Sequence, residues 1–265
     1  MGIHTADAIV LRQYPYRETS VIVTCLTDRF GKLKGLIKGL RAQPTRYRSP
    51  MEPLTLNRIV FYDTRTSSLH LITQCELIAA YQTLTHDLGA MRLAASCAEL
   101  TDMVVELDEP QAAIFELLKQ TLERLTSSGS ERSSAIRIHF VLRLLRLAGF
   151  HPQLDECTGC GEHPFGHQAF WSARQGGLLC QRCLHEDPKA EVIAPQWLET
   201  LSACAEAEEP VELAASQATA IQQRLDEFLR WRLDRSLKTL RVEGSGLGAA
   251  MTAQSPEPRA QSQTR

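Results

Sequence analysis

Between Cys157 and Cys183 the chain reads Cys-Thr-Gly-Cys, nineteen further residues, then Cys-Gln-Arg-Cys. Few features restrict a fold as tightly. Each CxxC pair makes a tight knuckle that offers two sulfurs to one ion, so two such pairs have to be brought face to face. The spacing predicts a structural zinc site held by Cys157, Cys160, Cys180 and Cys183. Four thiolates complete a tetrahedral shell and leave no open position for a reacting water. The residues between the pairs supply the geometry. Gln168-Ala169-Phe170-Trp171 and Gly176-Gly177-Leu178-Leu179 read as a hairpin whose glycines turn the chain and return the second knuckle to the first. His163, His167 and His185 lie nearby as possible substitute ligands and are read as spectators.

The opening Met-Gly-Ile-His-Thr-Ala has no apolar stretch of signal-peptide length, and no run approaches a membrane span. A cytoplasmic location is therefore expected, where cysteines are thiolate ligands or small buried apolar groups rather than disulfides. On that basis Cys25, Cys75, Cys97 and Cys204 are assigned to the core.

The formal net charge of −2 hides a division, because residues 1–80 carry +5 and the remainder −7. Charge asymmetry of this kind suggests a polyanion-binding module joined to something else. The basic part is rich in Val, Ile, Thr and aromatics in short runs: Ala8–Leu11, Val21–Thr27, Leu33–Lys38, Leu54–Tyr62 and Leu69–Glu76. Turn-forming residues separate them. Five strands in some seventy residues predict an OB-type barrel over residues 1–79, with an SH3-like barrel as the alternative.

After Ala79 the apolar period becomes helical. Helices are predicted over Leu88–Val105 and Ala112–Leu125, then from a cap at Ser133 or Ser134 to Ala148, stopped by Gly149. Arg132, His139, Arg143 and Arg146 fall on one stripe of the third helix, read as a solvated face. A short helix opens at Pro195 and a longer one spans roughly Ala218–Leu240. The fold class is thus α+β multidomain: an OB-type five-stranded barrel, then an all-α domain over 80–243 with a zinc ribbon inserted at about 154–187. Residues 244–265, poor in large apolar groups, are expected to form a flexible tail.

Between Asp28 and Glu52 there are seven basic residues and no acid. Lys32, Lys34 and Lys38 are expected on one face of a strand, followed by Arg41, Arg46 and Arg48, with Tyr47 set to stack on a base between two guanidinium groups. These seven residues are the predicted DNA-binding surface. Enzyme signatures are lacking. Gly31-Lys32 has no upstream glycine of a phosphate loop, there is no HExxH or GxSxG, and paired CxxC units flanking a hairpin do not suit a thiol oxidoreductase.

Taken together, Ile9-Val10-Leu11-Arg12, Tyr16 and Glu18 before Val21-Ile22-Val23-Thr24, Gly31-Lys32-Leu33, Lys38-Gly39-Leu40-Arg41, Arg46-Tyr47-Arg48, Glu52-Pro53-Leu54, Leu142-Arg143-Leu144-Leu145 with Gly149-Phe150 and Pro152, and Leu237-Lys238 resemble the bacterial RecO family of recombination mediators. The resemblance covers about residues 5–242. Arg17 stands where that family often has glycine, and Leu40 where alanine is common. The resemblance implies a non-enzymatic, nucleoid-associated DNA-repair protein of the RecF pathway. It would bind single- and double-stranded DNA, anneal complementary strands and, with RecR, help RecA replace single-strand-binding protein. For the acidic, apolar-ended tail of that last partner, Arg143 and Arg146 are the candidates. A zinc-ribbon transcription or RNA-binding factor is the alternative from another class, and a structural adaptor a third.

Overall fold

In the computed structural model, which describes residues 2–63, 68–128, 130–163 and 168–233, the β-rich part forms five strands. They are β1 (Ile3–Tyr16), β2 (Ser20–Thr27), β3 (Gly31–Ile37), β4 (Leu56–Tyr62) and β5 (Leu69–Ala79). They close into a barrel in the order β1-β2-β3-β5-β4, with β3 and β5 parallel and every other pair antiparallel. This is the expected OB-type closure. β1 is much longer than the apolar run Ala8–Leu11, because its first half pairs with β4 and its second half with β2. A bulge between Val10 and Arg12 lets the strand turn from one partner to the other.

The apolar run itself has a different cause. Ala6, Ala8 and Val10 fill the barrel with Val23, Cys25, Leu33, Ile37 and Ile59. Ile9 and Leu11, on the opposite face, join Leu26, Leu54 and Leu56 in packing against the helices. With both faces covered, the strand loses the usual polar alternation. Each such outward aliphatic group contributes roughly 1.5–3 kcal/mol by leaving water.

Helices α1 (Leu88–Val104), α2 (Ala112–Ser127) and α3 (Ser130–Leu147) follow. Asp87 caps α1 by accepting from the N–H groups of Gly89 and Ala90 at 2.8 and 3.1 Å. α3 ends in a Schellman motif, in which Phe150 N–H donates to the Leu145 carbonyl and Gly149 N–H to that of Arg146, with Gly149 at φ +75°. The ribbon comes next, with β6 (Gln153–Cys157), β7 (Ala169–Ser172), β8 (Gly177–Cys180) and β9 (Glu191–Ile193) ordered β6-β8-β7-β9. α4 (Pro195–Glu206) and α5 (Ala215–Leu233) then return the chain to α3. Arg137 of α3 is buried, donating to Ser96 Oγ of α1 at 3.1 Å and to Asp226 of α5 at 2.6 Å, so one guanidinium ties three helices. The last part of the predicted final helix and the tail 244–265 lie outside the described residues.

The barrel is joined to the helices by charge as well as by apolar packing. Lys32 of β3 donates its ammonium to the Asp102 carbonyl at 2.6 Å and lies 3.2 Å from the Asp102 carboxylate, which Arg12 of β1 also meets at 2.6 Å. Beside it, Asp108 N–H donates to the Lys32 carbonyl, and a Cβ on Gly31, at φ +68°, would stand 1.8 Å from the Glu109 carbonyl oxygen. Replacing Asp102 with alanine leaves a nearly buried ammonium unpaired, at a cost of about 3 kcal/mol. Urea unfolding should show that loss, and Lys32→Met in the Asp102→Ala background should recover a good part of it. An equal midpoint for wild type and Asp102→Ala would refute the joint.

Candidate metal centre and nucleic-acid interface

The four sulfurs of Cys157, Cys160, Cys180 and Cys183 all lie within 4.8 Å of one another, and those of Cys160 and Cys180 are 3.8 Å apart. A tetrahedral ion with metal–sulfur bonds of about 2.3 Å needs sulfurs spaced by about 3.8 Å, so the group can hold one metal ion. Local backbone makes this spacing. Cys157 ends β6 and Cys180 ends β8, so the pairing of these strands sets the first ligand of each knuckle side by side. Cys180 N–H donates to Cys157 Sγ at 3.3 Å, and Gly161, at φ +73°, closes the first knuckle by donating to the Cys157 carbonyl at 2.8 Å. Gly159 is needed for closeness, since a Cβ there would sit 3.0 Å from Cys183 Sγ.

Electrostatics favour the thiolate at Cys180. A hydrogen bond from the Cys183 backbone, then contacts with Cys157 and Arg182, lower the Cys180 thiol to about 6, while burial and the neighbouring sulfurs raise that of Cys183. Arg182 reaches toward Cys160 and Cys180 and is held by Glu162, placing one positive charge over the exposed side of the sulfur cluster. Strand alternation divides the ribbon. Phe170 and Leu179 pack around the cysteines, while Trp171, Leu178 and Ile193 enter the helical core. His163 and His185 instead contact the backbone carbonyls of Asp155 and Arg182, each at 2.8 Å, and His167 lies outside the described residues. The other four cysteines are buried, with burial raising Cys75 and Cys204 to about 11 and Cys97 to about 12.

The basic window separates into two groups. Lys34, Lys38, Arg41, Arg46 and Arg48 are exposed. Arg41 donates to the Arg17 carbonyl at 3.4 Å, and Arg48 makes an exposed pair with Glu76 at 3.4 Å. Lys32 and Tyr47 are corrected. Lys32 does not share a free face with Lys34, because β3 directs it into the joint with Asp102. Tyr47 does not present its ring for stacking, because it is packed in the barrel core with its hydroxyl donating to the Lys38 carbonyl at 2.8 Å. Tyr47 thus anchors the loop that carries Arg46 and Arg48.

One further pair escaped the sequence reading. Arg17, exposed at φ +53°, lies over the Tyr16 ring at 5.3 Å in the turn that leads into β2. Such a left-handed backbone is one that glycine adopts freely and arginine seldom does. An aromatic followed by arginine in a turn was the signal available.

On α3, Arg143 is half-buried and Arg146 exposed, but His139 is buried, which corrects the idea of a wholly solvated stripe. Burial, then Arg124 and Arg143, lowers His139 to about 4. Its folded value lies below its unfolded one, so its contribution is complete above about pH 6.5 and lost as pH falls toward 4. Among the described residues His139 Nδ1 has no hydrogen-bond partner. His139→Leu should therefore remove on the order of 2 kcal/mol from the stability difference between pH 7 and 4.5, read from urea midpoints at matched metal content. Cys180→Ser should lose bound metal in elemental analysis and melt at a lower temperature, because structural thiolate sites supply folding energy directly.

The N-terminal portion, residues 1–81, matches the family model for the recombination protein O N terminal region, and residues 85–241 match that for the C terminal region. Curated relatives agree. The DNA repair protein RecO of Bacillus velezensis is 33% identical over 192 residues, 72% of each chain. That of Anaeromyxobacter sp. (strain K) is 32% identical over 239 residues, covering 88% of this chain and 92% of the relative. That of Desulforudis audaxviator is 30% identical over 246 residues, 92% of this chain and 86% of the relative.

Proposed function

The chain belongs to the recombination protein O family, and from that footing we propose that it serves DNA repair and homologous recombination as a non-enzymatic mediator. It binds single- and double-stranded DNA, anneals complementary strands and, with RecR, helps load RecA onto DNA coated with single-strand-binding protein. The observation that carries this reading is the exposed set Lys34, Lys38, Arg41, Arg46 and Arg48 on an OB-type barrel, within a window that holds no acid. Cations on such a surface neutralise phosphates without reading sequence. Two coated strands then repel each other less while their bases stay free to pair.

The ion of the four-cysteine site is zinc in this reading, since a closed all-sulfur tetrahedron suits it and serves structure rather than reaction. For the acidic, apolar-ended tail of single-strand-binding protein, Arg143 and Arg146 stand beside Leu147 and Phe150, each 42% exposed. The place of action is the cytoplasm, at the nucleoid; among the described residues no helix is long and apolar enough to cross a membrane.

Two measurements test the proposal. Complementary oligonucleotides coated with single-strand-binding protein should anneal faster in the presence of the chain; no acceleration, or binding confined to one duplex sequence, would favour a transcription or RNA-binding factor. In a salt titration of single-strand affinity, five phosphate contacts give a slope of log affinity on log salt near −3.5, and each of Lys34→Ala and Arg41→Ala should flatten it by about 0.7. Parallel slopes across the set would remove the barrel surface from the account.

A further inference from the structure

The chain holds three tryptophans. Trp171 is buried and Trp197 is partly buried against the helical core, whereas Trp231, on the last described turns of α5, is 56% exposed. An indole left in water forgoes a large part of its burial energy, so its surroundings matter. The guanidinium of Arg174, from the ribbon turn between β7 and β8, lies 6.0 Å from the Trp231 ring centre. From the same end of α5, Arg232 donates to the Gln175 carbonyl at 3.4 Å and lies over the Phe228 ring at 5.5 Å. Arg230 is exposed one residue before Trp231. Among the described residues no carboxylate pairs with Arg174, Arg230 or Arg232, whereas Arg182 of the ribbon and Arg224 of α5 are both ion-paired. Among the described residues of this stretch of α5, Asp226 is paired with Arg137 and Glu227 is the exposed acid, so the patch keeps an excess of positive charge.

We propose that Trp231, Arg174 and Arg230 form a second contact for single-stranded nucleic acid, apart from the barrel surface, in which a base stacks on the indole and the guanidinium groups meet the flanking phosphates. The proposal rests on the DNA-binding function proposed above. A single strand fits better than the other polyanions. Duplex DNA hides its base faces in its own stack, and the apolar anchor of an acidic peptide gains most in a concave pocket, whereas an indole this exposed offers a flat ring bordered by cations. Arg232, held against the Gly176 turn, fixes the ribbon to α5 and so keeps Arg174 over the ring. For strand annealing the consequence is concrete. One strand segment lies along the barrel while another is held on the ribbon side with its bases stacked on protein, available for exchange.

The experiment follows tryptophan emission of the zinc-loaded full chain during titration with oligo(dT), alongside fluorescence anisotropy of the labelled oligonucleotide. Wild-type emission should be quenched as the oligonucleotide saturates, and Trp231→Phe should lose most of that quench while Trp171 and Trp197 still report the fold. Trp231→Ala should weaken single-strand binding about tenfold, leaving duplex binding within twofold, and Arg174→Gln should flatten the salt slope by about 0.7. Emission that stays unchanged at saturation, with Trp231→Ala binding as wild type does, overturns the second contact while leaving the barrel reading intact. Quenching by an acidic peptide but not by oligo(dT) overturns it in favour of a protein partner. A chain that binds no single strand in the anisotropy assay overturns both.

Discussion

Along β1 the residues Ala8 and Val10 point into the barrel, while Ile9 and Leu11 pack on the helices. That two-sided burial makes barrel and helices share one structural element, and Asp102 adds charge to it by accepting Lys32 and Arg12 together. Neither contact works alone. The apolar face is non-directional and could slide, whereas the carboxylate is directional, and with side-chain exposures of only 11–13% Lys32 and Asp102 would be costly to leave apart. The close approach of Gly31 to the Glu109 carbonyl shows how little slack the joint has. A rigid joint fixes where the exposed barrel cations stand relative to the rest of the molecule.

The ribbon solves a different problem. Its strands are three to five residues long, too short to stabilise a sheet through one apolar face. One side therefore borrows the helical core through Trp171 and Leu178, and the other packs Phe170 and Leu179 around a sulfur cluster whose dimensions suit a tetrahedral ion. A bound metal ion would supply on that side what burial cannot, and Arg182, held by Glu162, would offset some of the negative charge that four thiolates gather.

Much of this was legible because the signals were local. Paired CxxC units, glycines at a knuckle and a change from strand to helical period each depend on residues a few positions apart, and they located β2 to β5, the cysteine cluster, α1 and α2 closely, while β1 and the start of α3 extend beyond the expected runs. What escaped reading depended on distant partners. Lys32 alternates correctly with Leu33, yet whether its ammonium meets solvent or Asp102 is decided by a helix seventy residues away. Tyr47 lies between two arginines in sequence, but its hydroxyl reaches the Lys38 carbonyl and its ring enters the core, so its neighbours in the chain gave no warning. Arg137 was passed over because an arginine among apolar residues of a helix ordinarily faces water; only Ser96 and Asp226 together make its burial tolerable. Strands β6 and β9 are only five and three residues long and carry Asp155, Glu156 and Glu191, so they are held by pairing rather than by pattern.

A chain of net charge −2 is not an obvious polyanion binder, and the resolution lies in range rather than in sum. At about 0.1 M salt, charges separated by more than roughly 10 Å are largely screened, so an approaching phosphate responds to its immediate surroundings and not to the total. Cations already facing a carboxylate, such as Arg12, Arg58 and Arg124, have little left to offer it. Among the residues considered for binding, Lys34, Lys38, Arg41 and Arg46 on the barrel, Arg143 and Arg146 at the end of α3, and Arg174 and Arg230 beside Trp231 have no carboxylate partner among the described residues, and each group sits beside an aromatic or apolar side chain. Several acids are instead held in ion pairs that join the elements, as at Asp102, Asp226 and Glu191. Spending acids on structure while leaving selected cations unpaired allows local attraction for a polyanion in a molecule whose overall charge would suggest none.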